Sequence, residues 1–142
     1  MVVVSSCLAG NNCRYDGKNN LNEEIKKLVE ENKAICICPE QLGKMTTPRP
    51  ASEIKGNKVV NNIGEDVTYN FNLGAIKALE ICKKYNIRKA ILKAKSPSCG
   101  CGKIYDGTFT KTLIDGDGIT TRLFKQNRIT VITENEIKNE PI

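Results

Sequence analysis

The chain has 142 residues, 39% hydrophobic and 27% charged, which fits one globular domain spanning residues 1–142 and excludes an intrinsically disordered protein. Its net charge of +6 comes from lysines spread along the chain without a long run, so it reads as a solvated surface and not as a nucleic-acid footprint. There is no histidine, so acid–base work falls to Glu, Asp, Lys, Ser, Tyr or Cys, and any metal must be held by sulfur or oxygen.

Val2–Ser5 is a β-branched run and predicts a buried strand. It stops at Ser6-Cys7-Leu8-Ala9-Gly10, and a loop rich in turn formers carries Cys13 and ends at Gly17. Asn22 is placed to cap a helix to about Asn32, with Ile25, Leu28 and Val29 as its apolar stripe. Ala34–Cys38 predicts a second buried strand, ended by Pro39 and followed by Glu40. Residues 42–66 are the least regular, with a stiff Thr47-Pro48-Arg49-Pro50 segment and a small hairpin over Ile54–Val60 around Gly56-Asn57.

Asp66 or Thr68 predicts the cap of a helix to about Tyr85, whose apolar face would use Phe71, Ala75, Ile76, Leu79 and Cys82. Ala90–Ala94 predicts a third strand, leading into Lys95-Ser96-Pro97-Ser98-Cys99-Gly100. After a glycine-containing loop, Asp117 would cap a short helix through Phe124. Ile129–Thr133 predicts the fourth strand, and residues 134–138 a last helical turn. Strands alternating with helices imply a Rossmann-like three-layer α/β domain, with a mainly parallel four-stranded sheet and a small irregular or hairpin insertion.

In such sheets ligands sit outside the carboxyl ends of the strands, near the switch in strand order. Cys7 follows the first strand, Glu40 the second, and Ser96 and Cys99 the third, so all fall on one sheet edge, with Cys13 in the loop just beyond Cys7. The seven cysteines divide further. Cys82 on a helix stripe and Cys36 inside a strand read as core, because free cysteine is among the most buried residue types. Cys38 is open between core and site, and Cys101 between ligand, spare thiol and sulfur relay. Cys7, Cys13 and Cys99 lie in loops where packing does not call for cysteine. The chain has no signal-peptide start and no apolar run of transmembrane length, so a cytoplasmic setting is expected, where cysteine clusters more often bind metal or do chemistry than form disulfides. Spacing alone supports a metal or redox thiol site. Zinc is its obvious rival to a cluster, although no C-x-x-C pair is present.

Several blocks carry a sharper signal. Val4-Ser-Ser-Cys-Leu-Ala-Gly-Asn-Asn-Cys-Arg-Tyr-Asp-Gly17, Cys38-Pro-Glu-Gln-Leu-Gly43, Thr47-Pro-Arg-Pro50, Gly64-Glu-Asp-Val-Thr68, Leu92-Lys-Ala-Lys-Ser-Pro-Ser-Cys-Gly100, Ile104-Tyr-Asp-Gly-Thr-Phe109 and Gly116-Asp-Gly-Ile119 resemble, in order, the thiouracil desulfidase-like family of short iron–sulfur proteins. The resemblance implies that Cys7, Cys13 and Cys99 bind a 4Fe–4S cluster whose fourth iron is left open to a thione sulfur. It implies Glu40 as the catalytic carboxylate and Ser96 as a serine near the cluster. The activity it implies is non-redox removal of sulfur from thiolated pyrimidines, giving uracil and sulfide from thiouracil. The alternative is a sulfide carrier that feeds tRNA thiolation or another acceptor. Partners are then a thiolated nucleobase or sulfide, with no membrane, and a monomer or homodimer. Lys93, Lys95 and Arg49 are further candidates for substrate contact, while Asp16 and Asp106 read as turn residues.

Overall fold

The structure is a computed structural model that describes residues 1–139; the last three residues of the expected 1–142 unit lie outside the described residues. In chain order the elements are β1 (Val2–Ser5), α1 (Glu23–Glu30), β2 (Ala34–Ile37), α2 (Pro39–Leu42), β3 (Ser52–Lys55), β4 (Lys58–Asn61), α3 (Thr68–Lys84), β5 (Lys89–Leu92), β6 (Lys103–Tyr105), β7 (Leu113–Asp115), α4 (Ile119–Gln126) and β8 (Thr130–Thr133). Tight 3-10 turns cover Ser6–Ala9 and Glu134–Asn139.

β1, β2, β5 and β8 form a four-stranded parallel sheet in the order β2-β1-β5-β8. Successive side chains point to opposite faces of a strand, and the two faces pack separately. Val3, Ala90, Leu92 and Val131 meet Ala78, Leu79 and Cys82 of α3 and Phe124 of α4. Val2, Val4, Ile91 and Ile132 meet Ile25 of α1, Leu8 and Ile137. The result is the expected three-layer α/β arrangement. β3–β4 and β6–β7 are antiparallel hairpins apart from the sheet, and Ile54, Val59, Phe71 and Ile104 form a small core beneath them.

Local chemistry explains most boundaries. The Asn22 side chain accepts from the backbone N–H of Glu24 (3.1 Å) and Ile25 (3.2 Å), so α1 starts where a capping Asn satisfies its free donors. Pro39 sits at the first position of α2, where its missing N–H costs nothing. Neither Asp66 nor Thr68 caps α3, whose N-cap is Val67 without a side-chain bond; Asp66 instead accepts from Thr68 N–H at 2.9 Å, and the Thr68 hydroxyl accepts from Val59 N–H.

Three further expectations need correction. Ile76 is 50% exposed: the stripe of α3 runs through Phe71, Gly74, Ala75, Ala78, Leu79 and Cys82, and Ile76 falls outside it. Asp117 does not cap α4, which begins after Gly118 without a side-chain cap; its carboxylate instead accepts from Gly102 N–H (2.8 Å) and Lys125 Nζ (3.0 Å). The second and third strands end earlier than expected, at Ile37 and Leu92.

The chain leaves β1 to one side for β2 and then crosses to the other side for β5. The switch in strand order therefore lies between the carboxyl ends of β1 and β5, the place where such sheets leave a crevice.

Candidate functional site

A cavity of about 480 Å³ opens at this switch point, and Cys7, Cys13, Glu40, Ser96 and Cys99 all line it. The sequence-predicted residues are thus brought together, and Cys38 lines the cavity with them. Arg49, Lys93 and Lys95 also line it. Asp16 and Asp106 serve their turns, accepting from Lys18 N–H and Thr108 N–H at 3.0 Å each.

Each side chain is set by a local device. Cys7 stands in the 3-10 turn directly after β1, which closes on Gly10 at φ 97°, a conformation that suits glycine. The Cys13 loop is strapped to the proline segment: Arg49 N–H donates to Tyr15 O (2.8 Å) and Arg49 Nη2 to Cys13 O (3.0 Å). The same guanidinium is 3.7 Å from Glu40 Oε2 and is held by Thr47 Oγ1 at 2.9 Å. Only 6% of the Arg49 side chain is exposed, so this ion pair is shielded from solvent.

Glu40 lies in the first turn of α2, and two glycines press that helix onto α3. A Cβ on Gly43 would stand 2.0 Å from Asn70 O, and one on Gly74 would stand 1.9 Å from Pro39 O. Cys99 is held by a loop folded on itself and docked on α4. Ser96 Oγ accepts from Ser98 N–H (3.1 Å) and Cys99 N–H (3.0 Å), Thr121 Oγ1 donates to Cys99 O (2.8 Å), and the Ser98 and Thr120 hydroxyls bond at 2.8 Å. Ser96 therefore is a turn cap, yet its single O–H proton is not consumed by those two bonds. On the other flank, Lys93 Nζ donates to Ala94 O and pairs with Glu134 Oε2, both at 3.0 Å, and Glu134 Oε1 accepts from Ala94 N–H at 2.8 Å.

The thiols are not alike. Cys13 donates to the sulfurs of Cys38 and Cys7, which pushes its own thiol well up. The hydrogen bond from Cys13 draws Cys7 down to about 7, aided by Asn20 and Lys93 and opposed by burial and Glu40. Cys38 is lowered by the same donor. Burial, and then the Glu40 charge, push Cys99 up. The Cys38 thiol lies 3.9 Å from both Cys13 O and Glu40 Oε1.

The remaining cysteines are elsewhere. Cys36 packs against the α1 cluster, and burial in the core pushes Cys82 up to about 11. Cys101 points at Val131 O (3.7 Å) and does not line the cavity. All seven thiols are free of disulfides. Among the described residues, no three thiol or carboxylate groups gather to hold one metal ion; the thiols ring a cavity instead.

Several lining residues were not singled out from the sequence: Tyr15, Ser52, Glu53, Tyr105 and Phe109. Ser52 Oγ is buried without a hydrogen-bond partner. The available signal was the rarity of aromatics, since four of the chain's seven line this one cavity.

Residues 2–136 match the 2-thiouracil desulfurase family. The chain is 46% identical over 149 residues to YbbK of Bacillus subtilis (strain 168), described as uncharacterised, covering 98% of this chain and 99% of that protein. Among solved structures it resembles the 4Fe–4S-dependent thiouracil desulfidase TudS, with a TM-score of 0.93, 40% identity, and coverage of 98% of this chain and 93% of that one.

Proposed function

The chain belongs to the 2-thiouracil desulfurase family, and from that premise we propose that it is a 4Fe–4S-dependent desulfidase that converts thiouracil to uracil and sulfide. The observation that carries the reading is that Cys7 and Cys13 of one loop and Cys99 of a distant one line a single cavity together with Glu40 and Ser96.

The donor set suits the group. It is all sulfur, in a chain without histidine, and soft thiolates favour iron–sulfur clusters among metal centres. In this reading Cys7, Cys13 and Cys99 are the ligands, and Cys38 and Cys101 are not. When bound, the cluster supplies a Lewis-acidic iron with affinity for a soft thione sulfur.

The chain's own groups do the rest. Glu40 takes the proton of the water that attacks the thione carbon: its carboxylate lines the cavity with the thiols and is held there by Arg49 (3.7 Å), itself anchored on Cys13 O. Ser96 supplies its O–H as a donor, since its oxygen lone pairs are occupied by two amides. The C=S bond is replaced by C=O, the sulfur leaves as hydrosulfide, and no electrons are gained or lost. All seven cysteines are free, which fits a reducing cytoplasm, and no helix among the described residues is long and apolar enough to cross a membrane.

Anaerobic reconstitution with iron and sulfide, followed by an absorbance assay on 2-thiouracil, tests the proposal. Loss of the thione band is expected. A fully loaded protein that leaves the band unchanged would refute it.

A further inference from the structure

The cavity is lined by aromatic rings as well as by the thiols and Glu40. Tyr15 reaches it from the Cys13 loop, and Tyr105 and Phe109 from the β6–β7 hairpin, and each retains exposed surface, with Tyr15 45% and Phe109 36% exposed. Flat faces grouped around a cavity suit a flat ligand, because stacking on an aromatic side chain is favourable for any heteroaromatic ring.

Phe109 is the one whose placement is most heavily specified. It sits in the loop joining β6 to β7, at φ 58°, in the left-handed region that a bulky residue rarely occupies, and Lys111 beside it lies at φ 60°. Such a conformation persists only where the surroundings enforce it. Here they do. Glu53, on β3 of the other hairpin, accepts through Oε1 from Gly107 N–H (3.0 Å) and Phe109 N–H (3.1 Å). Its residue is only 9% exposed, so a carboxylate has been buried to grip two amides of one loop. Gly107 lies close against that strand: a Cβ there would stand 2.8 Å from Ile54 O. The loop is also closed on itself, with Asp106 N–H donating to Thr112 O (3.0 Å) and the Thr108 hydroxyl donating to Asp106 Oδ1 (2.6 Å).

We propose that Phe109 stacks on the substrate ring and that Glu53 is the positioning residue that holds it there, clamping the two hairpins together at the cavity. This rests on the reading of the substrate as a thiolated pyrimidine.

The test uses the cluster-loaded protein with 2-thiouracil, and equilibrium dialysis of 2-thiouracil against the same variants carrying Glu40→Gln, which slows turnover. Phe109→Ala should raise KM and the dialysis Kd about tenfold, as expected for one lost stacking partner, with kcat changing far less. Phe109→Tyr should restore both, and Phe109→Leu, apolar but not flat, should not. Glu53→Ala should raise KM in the same sense and speed hydrogen exchange at the Gly107 and Phe109 amides, while Glu53→Gln, which keeps a carbonyl acceptor, should recover both. Unchanged KM and Kd in Phe109→Ala, or full recovery by Phe109→Leu, would overturn the proposal while the wild type still turns over thiouracil. A loaded wild type inactive on thiouracil would instead overturn the desulfidase reading, and this inference with it.

Discussion

At the scale of single residues, the proposed roles separate holding from chemistry. Cys7, Cys13 and Cys99 come from two loops that follow β1 and β5, and Cys38 comes from a third that follows β2. If three thiols hold the cluster, Cys7→Ala, Cys13→Ala and Cys99→Ala should each lose most of the iron after reconstitution. Cys38→Ser and Cys101→Ser should keep it, which iron analysis would establish. Glu40 stands apart as the candidate base. Glu40→Gln should retain the iron and the cluster absorbance but lower kcat by about 10²- to 10⁴-fold, the range for losing general-base assistance. An equally active Glu40→Gln would transfer that role to another group. The sequence placed Glu40 and Ser96 at the sheet edge, but Cys38 stayed open for a physical reason. Side-chain alternation along β2 puts it on the face of Cys36, yet the strand ends at Ile37, and Cys38, as the residue before α2, turns to the cavity instead.

At the scale of elements, the site depends on close backbone approach. α2 is four residues long and has no propensity to stand alone. It is held because Gly43 and Gly74 let it lie directly on α3. Gly74→Ala should therefore cost about 1–3 kcal/mol by urea unfolding, as overpacking does, and reduce turnover by shifting Glu40. Ile76→Lys, on the open side of the same helix, should change stability by less than about 0.5 kcal/mol, as surface changes do. Elements with strong local signals were legible in the sequence: the valine run of β1, the Asn22 cap of α1, and the Gly56-Asn57 turn between β3 and β4. α2 was not, because four residues are too few to show a helical period. β6 and β7 were not, because three-residue strands, one of them wholly exposed, show no alternation. Yet that second hairpin supplies Phe109, so the part of the site the sequence hid is the part farthest from the cysteines in character.

At the scale of the molecule, the parallel sheet creates the crevice, and the packing on its faces keeps the loops in register. Phe124 is a fully buried residue of α4, the helix on which the Cys99 loop docks. Phe124→Ala should lower the unfolding free energy by about 3–5 kcal/mol, measurable by urea denaturation. The order of strands places β1 and β5 side by side, which brings Cys7 and Cys99, 92 positions apart in the sequence numbering, to the same crevice. The central claim is that this crevice performs hydrolytic, cluster-dependent desulfuration. Its most direct measurement is the product balance of anaerobically reconstituted protein with excess 2-thiouracil and no reductant. Equal amounts of uracil and sulfide, many per protein molecule and none from the Cys99→Ala variant, are the predicted result. Loaded protein that forms no uracil, or that stops after one turnover unless a reductant is added, would contradict it.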